Sequence, residues 1–404
     1  MRSGVAWPDL AWEPPENGDG ATPEPTTRSD LLNSGHATRL PGGSVMKAAV
    51  CREFGVPLVI EELTLAEPSA GEVRVRMHAT AICHSDITYA EGGWGGTLPA
   101  VYGHEGAGVV DALGAGVGSV AVGDHVVVTL IRSCGRCHGC VRGMPVTCDA
   151  TFPLDVVSPL TDTSGAPVVH GLRTAAFAEL CVVHESQVVA IPKEIEFPVA
   201  SLLACGVITG FGAVTNTAKV EPGSHVVVFG TGGVGLNAVQ GAHVSGARTV
   251  IAVDVSDDKL NASKTFGATH TVNSLTEDVV EKVRAHTDGR GADYVFVTVG
   301  VKAAFDQSYA LLAKAGSVVL VGMPANGVMS EIDPGTLAAY SQNILGSKMG
   351  GSRIGVDIPN LVALYQQGRV KLDELVTKTY PLSAINEAMA SVKRGETLRN
   401  VIVF

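Results

Sequence analysis

Apolar positions follow two different rhythms along the chain. Between about residues 47 and 206, short valine-rich runs are broken by glycine, and 72–77, 107–110 and 125–130 each read as a strand. Between about 207 and 348 the order becomes strand, glycine turn, helix, strand. The runs 225–229, 249–253, 294–298 and 318–321 are almost wholly apolar, as strands covered on both faces are. Amphipathic stretches such as 277–284 lie between them. That alternation predicts an α/β architecture with a doubly wound parallel sheet, preceded by a compact β-rich domain. Mixed helix and strand return from about 349.

Residues 1–46 show no such rhythm. Pro14, Pro15, Pro23, Pro25, Gly18, Gly20, Gly42 and Gly43 punctuate polar sequence, and the segment is expected to be disordered. A strand-like run over 47–50 directly follows Met46. A natural start at Met46 and a genuine N-terminal tail both remain open.

Composition narrows the partners. With 29 basic and 40 acidic residues the formal net charge is −11, and no basic stripe appears, so neither nucleic acid nor an anionic membrane is an expected partner. No uninterrupted apolar run reaches the roughly 18 residues a spanning helix needs. Eight cysteines in a chain without a secretory signal point to metal or catalysis in a reducing, cytoplasmic setting.

The apolar run 226–229 leads into Gly230-Thr231-Gly232-Gly233-Val234-Gly235 and then a helical stretch over 236–244. Gly230 permits the tight turn, Gly232 lets backbone approach a pyrophosphate, and Gly235 lets helix and strand pack closely. The helix N-terminus offers unpaired N–H groups to phosphate. A second strand ends in Asp254, where a carboxylate accepts ribose hydroxyls and repels a 2′-phosphate, favouring NAD over NADP. The competing structural role for Asp254 is a cap on the next helix.

Cys134, Cys137, Cys140 and Cys148 give C-x2-C-x2-C-x7-C, the spacing of a closed four-thiolate zinc site with a structural role. Cys83, His104 and Cys205 are dispersed. Three such ligands leave a fourth position for water or substrate, but spacing alone does not assemble them. Each taken singly is equally a packed core residue.

Cys83-His84-Ser85-Asp86, Gly103-His104-Glu105, the four-cysteine loop, the 205–210 segment beginning Cys205-Gly206, and the glycine turn occur in that order. The chain ends on Thr397-Leu398-Arg399-Asn400 and its last four residues. Over about 47–404 the chain thereby resembles the zinc-containing medium-chain alcohol dehydrogenases. The resemblance implies a GroES-like catalytic domain in two pieces, 47–206 and 349–404, around a Rossmann coenzyme domain at 207–348. It implies two zinc ions and NAD, with Cys83, His104 and Cys205 on the catalytic zinc. Glu105 then sits behind that zinc, Asp86 orients His104, and Ser85 passes the alcohol proton outward. His84 and Arg399 meet the pyrophosphate together with Gly230, Gly232, Gly233, Val234 and Gly235. Thr209 packs on the nicotinamide, Asp254 and Lys259 hold the ribose, and Trp94 and Leu130 line the alcohol pocket.

The chain departs from the family in two places. Thr88 stands where many members carry a histidine that ends the proton relay, so water or Thr88 takes that role. Trp94 stands where glutathione-dependent formaldehyde dehydrogenases carry an acid, and the stretch Asp149-Ala150-Thr151-Phe152 lacks their arginine. The expected reaction interconverts a small alcohol and its aldehyde or ketone, in a homodimer or homotetramer. The alternatives are oxidation of a thiol adduct of formaldehyde, or a non-catalytic relative on the same scaffold.

Overall fold

The structure is a computed structural model, and it describes residues 43–404. Residues 1–42 of the expected leader lie outside the described residues. The other four do not behave as leader. Strand Gly43–Cys51 begins before Met46, because Gly43 to Met46 pair antiparallel with Ala66 to Leu63. Ladder hydrogen bonds make strand of a stretch whose side chains carry no apolar alternation.

Three sheets organise the described residues. Gly43–Cys51, Val59–Ala66, Leu160–Thr161, Pro167–His170 and Ala100–Val101 close a small barrel. A seven-stranded sheet runs through His125–Thr129, Glu105–Leu113 and Glu72–Ala81, and it admits Arg399–Val403 and Val376–Pro381 from the far end of the chain. Val401 to Val403 pair antiparallel with Ala81 to Ala79. The end of the chain thus lies beside the segment that leads into Cys83.

The third sheet is parallel throughout. Its order is His270–Asn273, Thr249–Asp254, His225–Phe229, Ala292–Val297, Leu312–Leu320, Asn343–Gly346. In chain order that is 3-2-1-4-5-6, the doubly wound arrangement with its reversal between the first and fourth strands. Val226, Val227 and Val228 are wholly buried, each contributing about 1.5–3 kcal/mol through burial of its side chain. Both faces are covered, which is why this strand reads as a continuous apolar run.

A helix over Phe197–Ala218 joins the sheets. It spans 22 residues and is apolar enough to cross a membrane by length and composition, yet 89% of its most apolar window is buried inside the protein. It is a core helix. It passes through the 206/207 position expected to divide the domains, so no linker separates them there. Gly206, Gly210 and Gly212 disfavour a helix by propensity, but packing against the helix Gly233–Val244 overrides that preference.

Candidate active site

Cys83 immediately precedes the short helix His84–Ala90, and Ser85, Asp86 and Thr88 lie on it. Asp86 is wholly buried and ties three chain segments together. Its Oδ2 accepts from the Cys83 N–H at 2.9 Å, and its Oδ1 accepts from the Gly103 N–H at 3.0 Å. His104 Nδ1 also meets Oδ1, at 2.9 Å. That bond fixes the proton on Nδ1 and turns Nε2 the other way. His104 Nε2 is buried without a hydrogen-bond partner.

Cys205 comes from the long helix, where it widens into a π turn over Leu203–Val207. Such turns re-aim side chains and recur at functional sites. The ligand atoms of Cys83, His104, Glu105 and Cys205 all lie within 4.8 Å of one another. Two sulfurs facing an orphaned imidazole nitrogen form the donor set of a Zn²⁺ site, and the residues fit that ion. The hydrogen bond from Cys205 holds the Cys83 thiol well below its ordinary range, against the effect of burial. Burial disfavours charge on His104, yet the Asp86 carboxylate and Cys83 hold its pKa well above the usual imidazole value. A site so rich in negative charge favours a cation.

Glu105 is wholly buried behind the cluster, and burial lifts its carboxyl to about 7 against the pull of Arg399. Its Oε1 lies 2.5 Å from the Arg399 guanidinium. Arg399 in turn crowds Gly206, beside Cys205, and Gly233, in the glycine turn; a Cβ on Gly233 would sit 2.8 Å from its Nη1. One arginine therefore touches both the metal cluster and the expected phosphate site. His84 is exposed, and its pKa is lowered by partial desolvation; Cys83 opposes the shift and the charges of Arg399 and Lys259 add to it, so the three basic groups sense one another.

The four-cysteine loop is built differently. Cys134, Cys137, Cys140 and Cys148 are all partly exposed, with sulfurs mutually within 4.8 Å. The Cys137 N–H points at Cys134 Sγ at 3.3 Å, and the Cys134 N–H points at Cys148 Sγ at 3.4 Å. Backbone N–H groups of Arg136 and Cys137 bring the Cys134 thiol down to about 6, as a thiolate ligand requires. None of the chain's eight cysteines is in a disulfide.

On the coenzyme side, the turn residue Gly230 has φ +84°, and a side chain on Gly235 would strike the Gly230 carbonyl. Nothing lies within 4 Å of a Cβ placed on Gly232, which leaves the open cradle a phosphate needs. The helix begins at Gly233, three residues earlier than expected. A cleft of about 750 Å³ opens beyond the turn, lined by Gly230, Asp254, Ser274 and Asp306 among others. Asp254 does not cap the next helix. Ser256 does, accepting from the Lys259 N–H.

The sequence profile of the zinc-binding dehydrogenases matches residues 233–367, and that of the alcohol dehydrogenase GroES-like domain matches 69–193. The chain belongs to the zinc-containing medium-chain dehydrogenases. It is 35% identical over 373 residues to S-(hydroxymethyl)glutathione dehydrogenase of Paracoccus denitrificans, covering 89% of this chain and 99% of that one. Among solved structures it is similar to an alcohol dehydrogenase zinc-binding domain protein from Burkholderia ambifaria, with TM-score 0.86, 38% identity and coverage of 90% and 100%. It is also similar to benzyl alcohol dehydrogenase from Acinetobacter calcoaceticus, with TM-score 0.84, 34% identity and coverage of 89% and 99%.

Within this family member, Thr209 is one helical turn after Cys205, its Oγ1 3.9 Å from the Cys205 sulfur. Met349 reaches the same place, its Sδ 3.8 Å from Cys205 Sγ and 3.7 Å from Thr209 Oγ1. Sequence reasoning missed Met349. Its one local signal is the Gly350-Gly351 pair of a turn in which Met349 itself takes φ +48°. Trp94 is partly buried, packs edge-on against Tyr89 and donates its indole N–H to the Pro324 carbonyl at 3.3 Å. Leu130 is partly buried against the main core. Ser85 is partly buried on the first helical turn. The Thr88 hydroxyl donates to the His84 carbonyl at 2.9 Å, which leaves it free only to accept.

Proposed function

We propose that this chain is an NAD-linked, zinc-dependent alcohol dehydrogenase that oxidises a primary or secondary alcohol reversibly to an aldehyde or ketone. The observation that carries the reading is the buried Cys83, His104 and Cys205 cluster, linked through Glu105 and Arg399 to the glycine turn. Zinc held by that cluster would supply Lewis acidity toward an alcohol oxygen, and NAD would supply the hydride acceptor. Cys83, His104 and Cys205 hold the ion, and Asp86 fixes the His104 tautomer. Ser85 takes the alcohol proton and passes it to solvent, with Thr88 able only to receive. Thr209 and Met349 would pack on the nicotinamide side, His84 and Arg399 would balance the pyrophosphate charge, and Lys259 would meet the ribose with Asp254. The four-cysteine loop holds a second, structural zinc. Asp254, with Asp306 in the same cleft, disfavours a 2′-phosphate and supports NAD over NADP.

A second reading, oxidation of a thiol adduct of formaldehyde, is favoured by the 35% identical relative whose name carries that activity. Against the glutathione form stands the stretch Asp149-Ala150-Thr151-Phe152 after Cys148, which contains no arginine. The nearby Arg132 is buried and committed to Gln187, Asp155 and the Arg173 carbonyl. Reduction of NAD with ethanol, benzyl alcohol and S-hydroxymethyl thiols as substrates tests the two. Turnover of a simple alcohol with about two zinc ions per chain is expected. Turnover of thiol adducts alone would replace the first reading with the second. One zinc or fewer after full supplementation would end both.

The reading includes a homodimer or homotetramer in the cytoplasm. The edge strand Asn343–Gly346, the helix Pro334–Tyr340 that buries none of its residues, and exposed Met323, Met329 and Ile332 support self-association. A monomeric mass by light scattering would remove that element.

A further inference from the structure

The carboxylate expected to receive the adenosine ribose is already fully engaged. Asp254 Oδ2 accepts from the Thr231 N–H at 2.6 Å and from the Thr231 hydroxyl at 2.9 Å. Oδ1 accepts from the N–H groups of Val255 at 2.8 Å and Ser256 at 3.1 Å. An ionised carboxylate has about four lone-pair positions, so these four donors fill it. Three of them are backbone groups, fixed by the glycine turn and by the end of the strand. Only the fourth, the Thr231 hydroxyl, can rotate its proton away without moving the chain.

Thr231 is wholly buried, whereas Asp254 is partly exposed and lines the cleft of about 750 Å³. An incoming ribose therefore reaches the carboxylate but not the threonine. We infer that the Thr231 hydroxyl is a placeholder for the 2′-hydroxyl of the cofactor's adenosine ribose: it fills the one exchangeable acceptor position on Asp254 and yields it to that hydroxyl when the cofactor binds. This rests on the NAD reading above. Binding gains a ribose–carboxylate hydrogen bond and leaves a buried threonine hydroxyl without its partner. The loss of that partner sets NAD affinity below what the carboxylate alone would give. A 2′-phosphorylated cofactor has no 2′-hydroxyl to donate and gains nothing from the exchange.

The test compares the zinc-loaded enzyme with Thr231→Val, which keeps the shape and loses the hydroxyl, and Thr231→Ser, which keeps the hydroxyl. Dissociation constants are measured by nicotinamide fluorescence for NADH, NADPH and an NADH analogue lacking the adenosine 2′-hydroxyl. Thr231→Val is expected to bind NADH about fivefold more tightly than wild type. Its affinities for NADPH and the deoxy analogue stay unchanged, and Thr231→Ser matches wild type. Thr231→Ala supplies the same comparison if the valine variant does not fold. Unchanged or weaker NADH binding in the hydroxyl-free variants would overturn the inference, the weaker result making Thr231 a clamp on Asp254. An equal gain for the deoxy analogue would overturn it too. Those outcomes leave the NAD reading standing, whereas a wild-type enzyme that prefers NADPH overturns both.

Discussion

The two cysteine-bearing clusters bring metal-ligating atoms together in opposite ways. The four-cysteine loop draws every ligand from one continuous stretch, 134–148, stays partly exposed, and sets its sulfurs with its own backbone N–H groups. The Cys83, His104 and Cys205 cluster draws on two distant loops and a core helix, with His104 wholly buried. Its geometry depends on Asp86, which pins the Cys83 and His104 segments at once. A local cluster stabilises its own loop. A dispersed one borrows its shape from the whole fold and can therefore keep an open position for chemistry.

The sharpest way to break this contrast is Cys205→Ala. It should lower turnover by at least about 10³-fold, because the metal's charge stabilisation is lost. Zinc content should fall from about two per chain to about one, with the fold retained. Loss of both ions would show that the clusters are not independent. Next in size, Ser85→Ala should reduce turnover by about 10²-fold, the lower end of what positioned proton transfer contributes. Ser85→Thr should recover most of it across pH 6–10 in steady-state rates. Equal activity in the two variants would exclude a relay through this hydroxyl.

Asp86→Asn should weaken zinc at the dispersed cluster by about 10- to 100-fold, since the amide no longer selects the His104 tautomer. Chelator competition should strip one ion first and leave the second in place. Simultaneous release would place Asp86 in the general scaffold instead. The smallest effect on chemistry belongs to Cys137→Ser, with turnover per folded molecule within about twofold of wild type. Its melting temperature should nevertheless fall and lose its response to added zinc, because a closed site contributes to folding. A stable variant with a purely catalytic defect would reverse the roles of the two clusters.

Legibility in the sequence follows the same division. The strand His225–Phe229 was predicted at its observed ends because an apolar run between a polar segment and a glycine turn is a self-contained signal. The four-cysteine loop was equally plain from spacing. The core helix Phe197–Ala218 was not predicted, since its glycines and β-branched residues oppose a helix and only burial makes one. The position expected to divide the domains, 206/207, lies inside that helix. The strand start at Gly43 was missed because the ladder partner, not the side chains, makes residues 43–46 extended.

By itself, the sequence determined that a parallel α/β sheet follows a β-rich region, that a glycine turn links its first strand to a helix, and that four cysteines are spaced as a metal-ligand set. Each of these depends on neighbours within one turn, one strand or one hairpin, where chain connectivity alone sets the distances. Grouping Cys83, His104 and Cys205 required a family resemblance, and only the tertiary structure put their ligand atoms together, with Met349 arriving from 144 residues beyond Cys205. The engagement of Asp254 by Thr231 across 23 residues was likewise decided by the fold. Such contacts are fixed by strand order and helix packing, which bring remote residues within hydrogen-bonding range without leaving a periodic trace in the chain.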